Sequence, residues 1–408
     1  MRYARAIVIG ALTLTACGRE VPAVPASPTP GSEPAALVES ESILNMARGA
    51  SVVSRTAELT LEQTPARLID GETDSTWATP FGDVQQSATF SLPAPARVTA
   101  VGIATLSRRA YAVRRIRFES SLDGVNFTPL LTQVLRSGES SQLRQVPARD
   151  LMYIRALIEE SHGSSATLST LHVRGNFIQR PRLPPISGCW SVNGSESRMA
   201  EEGGSVRGTI TGDGTLRLDG GSEGLVYRFA WSDGPQYGLA AVTLTPDGRH
   251  LTGMKWHERA EPYTFGQTWF GETHPGCAPS VPASDETARL WLKRAGWYPL
   301  YGLHFDDRDQ LIVDQSRAAL DLIARLLNTS QKIQLTAHEM RAASPEANRK
   351  LSERRLVSLR DVLTRDGADV RRIGFLAAGS DHQPLRMPSE LILAMYSMVD
   401  IRVAGSGV

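Results

Sequence analysis

The chain has 408 residues, of which 41% are hydrophobic and 21% are charged. This length predicts several domains, and this composition excludes both a disordered chain and a protein with many membrane spans. The 44 basic and 43 acidic side chains give a formal net charge of +1, so no bulk electrostatic attraction to nucleic acid is expected. None of the four lysines follows the glycine of a phosphate-binding loop, which excludes P-loop nucleotide hydrolysis.

The start of the chain has the features of an export signal. Two arginines precede an apolar stretch at 6–14, which is too short to span a bilayer but typical of a signal peptide. The stretch ends in Leu-Thr-Ala followed by Cys17, which resembles the lipobox of bacterial lipoproteins. This resemblance implies removal of residues 1–16 and a diacylglyceryl group on Cys17. Because Gly18 follows instead of Asp, it also implies transfer to the outer membrane. An ordinary signal peptide with a chance cysteine is the alternative.

Residues 17–41 are rich in proline and small side chains, which cannot build a hydrophobic core. We expect them to form a semi-extended tether between the lipid and the first domain. No later segment is long and apolar enough to span a bilayer. Cleavage would remove the two arginines and leave a net charge of −1, so the acyl group, and not charge, would hold the protein at the membrane.

Residues 42–178 predict a β-sandwich. Short alternating apolar segments recur between turn residues, and no amphipathic helical run competes with them. These segments are Ala88–Leu92, Val98–Ile103, Ile116–Ser120, Met152–Ile158 and Leu168–Val173. The strings IDGETDSTW at 69–77 and SSLDGVNF at 120–127 resemble the discoidin family, which is also called coagulation-factor type C or galactose-binding-like.

The discoidin resemblance implies a domain that binds glycans or phospholipid head groups through loops at one end of the sandwich. It also implies a structural calcium ion, for which Asp70 and Asp74 would supply two of the required oxygens. The family's further glutamate matches Thr170, which would remove one charge from the ligand set. The alternative is that Asp70-Gly71 makes only a tight turn and that Trp77 belongs to the core. No cluster of aromatic residues in the sequence identifies a sugar platform.

Residues 187–278 predict a small antiparallel β domain, either an up-and-down sheet or a partial barrel. Asp213-Gly214 and Asp247-Gly248 are hairpin-turn signals between its short strands. Cys189 lies at the start of this domain and Cys277 at its end. Export to an oxidising compartment therefore predicts a disulfide between them, with two free thiols as the alternative.

No catalytic residue is predicted. The string Gly220–Gly224 fits G-x-S-x-G, but a hydrolase needs a helix after the serine, and strand-like residues follow here. We therefore predict a glycine-rich hairpin at this position. Neither a nucleophile–base pair nor a metal-spaced cluster of ligands is found elsewhere, so the sequence predicts a protein that is not an enzyme and has no cofactor apart from the expected calcium.

Residues 285–408 predict a four-stranded α/β domain with the element order β-α-β-α-β-β, so the whole chain is multidomain, β plus α/β. Leu320, Ile323, Ala324 and Leu327 are expected on one face of the first helix, and Ser344 is expected to cap the second. The predicted strands and helices are Tyr301–Phe305, Val313–Leu327, Ile333–Leu335, a helix from Pro345 to before Gly367, Ile373–Ala377 and Met398–Val403.

This last domain resembles the OmpA-like family, which anchors outer-membrane proteins to peptidoglycan. The resemblance depends on N-x-x-L-S-x-x-R from Asn348 to Arg355, supported by Phe305-Asp306, His338 and the stretch from Gly379 to Pro384. It implies that Arg355 binds the carboxylate of the diaminopimelate unit in a fork geometry, with Asn348 and His338 in the same site.

The OmpA-like pattern is incomplete. The family's aspartate, which binds the ligand ammonium group, matches Met340, and Glu339 lies one residue before it. The sequence thus leaves two functions open. In the first, an outer-membrane lipoprotein facing the periplasm tethers the envelope to peptidoglycan and carries a discoidin-like glycan-binding module. In the second, a scaffold binds glycans or an envelope protein, and its OmpA-like domain has lost peptidoglycan binding.

Overall fold

The computed structural model describes the larger part of the chain from residue 42 to residue 403. The described residues are 42–105, 111–136, 141–212, 214–258, 266–275, 285–329, 332–340, 344–381 and 389–403. Cys17, the signal segment, the tether and Cys277 lie outside them. Lipidation and the disulfide therefore stay predictions, although Cys189 itself is buried in the barrel described below.

The first domain is the expected β-sandwich. Its strands are β1 (Ser51–Arg55), β2 (Trp77–Ala78), β3 (Ser87–Ala104), β4 (Val113–Ser121), β5 (Thr128–Val134), β6 (Ser141–Ser161), β7 (Thr167–Leu168) and β8 (Thr170–Phe177). The main sheet has the order β1-β3-β6-β4-β5, with β8 also paired to β3, and β2 pairs with β7 in a second small sheet. Trp77, Phe90 and Phe118 are fully buried between the layers, which confirms that Trp77 belongs to the core.

The middle domain is a closed eight-stranded barrel. Its strands are β9 (Gly188–Val192), β10 (Ser195–Glu202), β11 (Ser205–Thr211), β12 (Thr215–Glu223), β13 (Val226–Asp233), β14 (Gln236–Leu244), β15 (His250–His257) and β16 (Gln267–Thr273). Each strand pairs with the next, and β16 pairs with β9 to close the barrel. Large side chains such as Trp190, Phe229 and Trp231 fill the interior, as in other small barrels.

The described residues of the third domain form four strands and four helices. They are α1 (Glu286–Arg294), β17 (Trp297–Pro299), α2 (Val313–Asn328), β18 (Ile333–His338), α3 (Pro345–Arg365), β19 (Ile373–Gly379), α4 (Glu390–Tyr396) and β20 (Val399–Val403). The sheet order is β17-β20-β18-β19, and only β18 and β19 run parallel. The short helix α4 separates the last two strands, which the sequence had predicted to be adjacent.

For the two long helices, the predicted boundaries of α3 agree with the structure, but one predicted buried position of α2 does not. The Ser344 hydroxyl accepts a hydrogen bond from the Ala347 N–H at the start of α3, and Gly367 has a φ of 82° just beyond its end, so both boundaries are confirmed. In α2 the prediction for Ala324 was wrong. Ala324 is exposed, and Leu322 is buried in its place beside Leu320 and Ile323.

The predicted strand Tyr301–Phe305 was also wrong. The first strand of the sheet is β17, and the chain then leaves the sheet to pack against the barrel. His304 Nε2 lies 2.8 Å from the carbonyl oxygen of Gly204 in the barrel. A Cβ atom added to Gly221 would lie 2.5 Å from the carbonyl oxygen of Tyr301, so this approach requires glycine. The G-x-S-x-G string is thus part of the β12–β13 hairpin that was expected, and its second glycine lies at a domain interface.

Buried polar side chains also connect the modules. The Arg228 guanidinium of the barrel donates to the carbonyl oxygens of Ala394 and Ser397, at 2.8 and 2.7 Å. On the other side, the barrel hydroxyl of Thr252 accepts a hydrogen bond from the backbone N–H of Val52, at the free edge of β1. All three domains belong to one compact unit, Ala36–Val408.

Within the described part of the chain, no helix is both long enough and apolar enough to cross a bilayer.

Gly221→Ala should destabilise the contact between the barrel and the third domain. The added methyl group would push against the Tyr301 backbone, which cannot move as a flexible side chain could. Overpacking of this kind costs about 1–3 kcal/mol. Urea unfolding should give a lower midpoint for this variant. Gly374→Ala is the matched control, because its Cβ would make only ordinary contacts with Gln334, the nearest at 3.6 Å from Cγ. Equal midpoints for the two variants would contradict the interpretation.

Candidate functional sites

The first candidate site is the turn that contains Asp70. This carboxylate is buried and lies 3.4 Å from Nη1 of Arg67, which is equally buried. Asp70 Oδ1 also accepts hydrogen bonds from the Glu72 N–H and the Ser75 hydroxyl, at 2.9 and 3.0 Å. Arg67 donates further to the carbonyl oxygen of Gly266 in the barrel. The Arg67–Asp70 pair therefore holds the turn and ties the sandwich to the barrel.

Burial dominates the electrostatics of this pair. Loss of solvent raises the pKa of the Asp70 carboxyl to about 7, although Arg67 acts in the opposite direction. Burial also lowers the pKa of Arg67. Both shifts have the same cause, because taking the two charges out of water costs more than their mutual attraction returns.

The expected calcium site is not assembled in the described residues. Asp74 is exposed, whereas Asp70 is directed to Arg67. Among the described residues, no group of three histidine, cysteine, aspartate or glutamate side chains could hold a metal ion. Calcium binding through Asp70 and Asp74 stays a prediction. It would require the Asp70 carboxylate to leave the Arg67 guanidinium and bind the metal ion instead.

The second candidate site surrounds Arg355 in the third domain. Arg355 Nη1 lies 3.2 Å from Oε2 of Glu339, and its Nε lies 3.6 Å from Oδ1 of Asp309. Glu339 is fully buried, and its Oε1 accepts hydrogen bonds from the Met340 N–H and the Ser397 hydroxyl. The arginine that the resemblance assigned to a ligand carboxylate thus already has an internal one.

The other two predicted ligand residues are also used inside the domain. Nε2 of His338 lies 2.7 Å from Oδ2 of Asp400, and both side chains are buried. Asn348 is buried on α3, two turns before Arg355 and on the same face of the helix. Met340, which replaces the family's aspartate, is buried as well. The structure therefore brings Arg355 and Glu339 together but directs His338 to a separate pair.

A pocket of about 190 Å³ lies next to Arg355, between the third domain and the barrel. His304 and Phe305 line it from one side, and the β12–β13 hairpin lines it from the other with Glu223 and Arg228. These last two side chains form an ion pair of 2.5 Å. A ligand of Arg355 that occupies this pocket would therefore lie beside the barrel hairpin, a neighbour that the sequence could not reveal.

The third candidate site is a set of exposed side chains at loops of the sandwich, which we call the loop cluster and which consists of Phe81, Tyr111 and His162. The rings of Phe81 and Tyr111 meet edge to face with centroids 6.3 Å apart. Their residue exposures are 60% and 37%, which is unusual for neighbouring aromatic residues in a folded domain. Exposed aromatic rings on loops of a rigid scaffold are typical of a binding surface.

Hydrogen bonds between the loops fix this arrangement. The His162 N–H donates to the carbonyl oxygen of Ala112, and its Nε2 lies 3.0 Å from the carbonyl oxygen of Leu135. The Gly82 N–H donates to the carbonyl oxygen of Ser164 at 2.7 Å. Sequence reasoning missed the loop cluster because its members come from three separate loops, and no spacing along the chain connects them.

Comparison with known families agrees with two of these domains. Residues 51–170 match the family model of the F5/8 type C domain, and residues 304–389 match that of the OmpA family. This chain carries an F5/8 type C domain and an OmpA family domain. The discoidin and OmpA-like resemblances seen in the sequence are thereby confirmed, together with the multidomain fold. Neither match covers the barrel between them.

Solved structures similar to the F5/8 type C domain come from several bacteria. The C-terminal domain of a chitobiase from Bacteroides fragilis is 19% identical, with 32% of this chain and 96% of that chain covered and a TM-score of 0.30. The family 32 carbohydrate-binding module of NanJ from Clostridium perfringens, solved with galactose, is 18% identical, with coverages of 30% and 98% and a TM-score of 0.28. No curated protein matches the chain.

The raised pKa of Asp70 predicts a specific pH dependence. Between about pH 4 and pH 7 the folded protein keeps a proton on Asp70 that the unfolded chain has released. The free energy of unfolding should therefore fall as the pH rises through this range. Urea unfolding at pH 4.5 and pH 7 measures this decrease in the free energy of unfolding. In Asp70→Asn the decrease should be smaller, by about the amount that one bound proton contributes. An unchanged slope in that variant would contradict the prediction.

The same variant tests the expected calcium ion. A melting temperature that rises on addition of calcium, and no longer does so in Asp70→Asn, would establish the calcium site. Asp83→Asn is the control, since Asp83 is an exposed carboxylate outside the Asp70 turn.

Proposed function

We propose that this protein is a non-enzymatic lipoprotein of the bacterial outer membrane that binds glycans through the loop cluster of its F5/8 type C domain. The exposed Phe81–Tyr111 pair carries the glycan-binding part, because the C–H faces of sugar rings pack on aromatic rings. The neighbouring His162 is exposed on the adjoining loop and offers a polar group for sugar hydroxyls.

The anchor and the location are part of the proposal. Cys17 after a short apolar segment supports a diacylglyceryl anchor, with the tether at 17–41 holding the folded unit away from the lipid on the periplasmic side. The same exported location favours a disulfide from Cys189 to Cys277. Cys189 lies on β9, which pairs with β16 to close the barrel. A disulfide at Cys189 would therefore stabilise the closure of the barrel.

The OmpA family match supports a second candidate function, which is peptidoglycan binding through Arg355 with Asn348 and His338. The ion pair of Arg355 with Glu339 favours the alternative, in which this domain docks on the barrel and Arg355 stabilises the fold. A ligand carboxylate would have to compete with a glutamate that is already buried and hydrogen-bonded. We therefore place glycan binding in the sandwich and assign the OmpA-like domain mainly a structural role.

Phe81→Ala should abolish or strongly reduce binding to a glycan array, since it removes the more exposed ring of the pair. The measurement uses the soluble chain that starts after Cys17. Leu61→Ala is the matched control, because Leu61 is 74% exposed in the same domain but lies outside the loop cluster. A blank array with the unmodified chain, or equal loss in both variants, would count against the proposal.

Arg355→Ala should lower stability and not only ligand binding. Removing one partner of a buried ion pair costs roughly 3–5 kcal/mol, because it leaves the other charge buried without compensation. Arg354→Ala, whose side chain is 56% exposed, should cost about 1 kcal/mol or less. Urea unfolding of the two variants provides the comparison.

Glu339→Gln then separates binding from stability. It keeps the shape of the buried side chain but removes the carboxylate that lies 3.2 Å from Arg355, while Asp309 at 3.6 Å stays in place. If Glu339 blocks the site, this variant should sediment with purified sacculi more strongly than the unmodified chain. Strong binding of the unmodified chain that Glu339→Gln leaves unchanged would contradict the structural role.

A further inference from the structure

A second pocket lies between the sandwich and the barrel, and it shares no residue with the loop cluster or with the surroundings of Arg355. We call it the junction pocket. Its volume is about 300 Å³, within the range of small-molecule sites. One wall is the free edge of β1, and the other is the outer surface of β9, β15 and β16.

The shape of the junction pocket follows from how β1 meets the barrel. The backbone of Val52 is held by the Thr252 hydroxyl, and Ser51 Oγ donates to Thr243 Oγ1 at 2.9 Å. Directly afterwards β1 contains a bulge, since Val52 pairs with Phe90 but Ser54 pairs with Thr89. A bulge bends a strand locally, and the junction pocket lies along the part of β1 that contains this bulge.

The opposite wall is fixed by Asn193 in the turn between β9 and β10. Its side-chain amide donates to the carbonyl oxygen of Thr268 and accepts a hydrogen bond from the Phe270 N–H, at 3.0 and 2.9 Å. The backbone around Phe270 is therefore held in place at the pocket. A cavity with such a wall is formed before any ligand arrives, which lowers the cost of binding.

The side chains in the junction pocket suit a ligand with many hydroxyl groups. The Arg55 guanidinium lies 3.7 Å from the centroid of the Phe270 ring, and its Nε lies 3.3 Å from Glu58 Oε2. Nδ1 of His250 lies 3.9 Å from Oε1 of Glu272 on the neighbouring strand. The pocket thus places a hydrogen-bond donor group, an acceptor group and an aromatic ring next to one another.

The charges in the junction pocket favour a neutral ligand. Among the described residues that line the pocket, Arg55 and Glu272 carry the formal charges, one of each sign, so the lining itself has no net charge that would attract an ion. Glu272 is 77% exposed in its side chain and can reorient toward a ligand hydroxyl at little cost. Vicinal sugar hydroxyls both donate and accept, which matches this mixture of groups.

We propose that the junction pocket binds one neutral pyranose unit of a glycan, with Glu272 and Arg55 bonding its hydroxyls and His250 completing the site. This site is separate from the loop cluster, so it goes beyond the proposed function and does not depend on it.

The test uses the soluble chain and saturation-transfer difference NMR with methyl β-D-galactopyranoside and methyl β-D-glucopyranoside. Phe81→Ala serves as the background, because it removes the more exposed aromatic ring of the loop cluster. In that background a sugar signal should remain, and adding Glu272→Ala should weaken binding about tenfold, the factor that one charge-assisted hydrogen bond contributes. Glu346→Ala, which removes an exposed carboxylate on α3 that pairs with Lys350, is the matched control and should change nothing.

The possible results separate the two sites. Loss of all signal in Phe81→Ala alone, or a remaining signal that Glu272→Ala and His250→Ala leave unchanged, would overturn the junction pocket. A signal that survives Phe81→Ala at full strength and disappears with Glu272→Ala would support the junction pocket while contradicting the loop cluster.

Discussion

The structure depends on the close backbone approach of the barrel to the OmpA family domain. Gly204 and Gly221 leave room for the segment from Tyr301 to His304, which packs on the barrel and lies outside the sheet. The barrel is thereby more than a spacer between two known domains. It shapes the pocket beside Arg355 and, on its other side, covers part of the free edge of β1. An exposed strand edge is a risk for aggregation, so this contact protects the sandwich as well.

Buried charges at both resemblance sites are compensated inside the chain. Arg67 faces Asp70 in the sandwich, and Glu339 faces Arg355 in the OmpA family domain. Each pair leaves its charges little capacity for an external ion or ligand, since a buried charge without a partner is costly. Family residues can therefore keep their positions while their charges are compensated by partners inside the chain.

Local chemistry made part of this architecture predictable. Ser344, Pro345 and Gly367 delimit α3, because caps and left-handed glycines act within a few residues. Barrel closure, the direction of Glu339 and the meeting of Phe81 with Tyr111 depend on contacts between residues far apart in the chain. The prediction of a strand at Tyr301–Phe305 was wrong for the same reason. Its apolar residues fit the pattern of a strand, but they are buried against the barrel.

The rigid arrangement of the modules has a consequence for binding. The loop cluster and the junction pocket both involve the F5/8 type C domain, and the second also requires the barrel surface around Phe270. Two sites on one rigid body have a fixed separation, so a branched or repeating glycan gains avidity only if its units match that distance. A flexible linker between sandwich and barrel would not create the junction pocket at all. The buried contacts of Ser51, Val52 and Arg67 with the barrel therefore hold the sandwich wall of the junction pocket against the barrel.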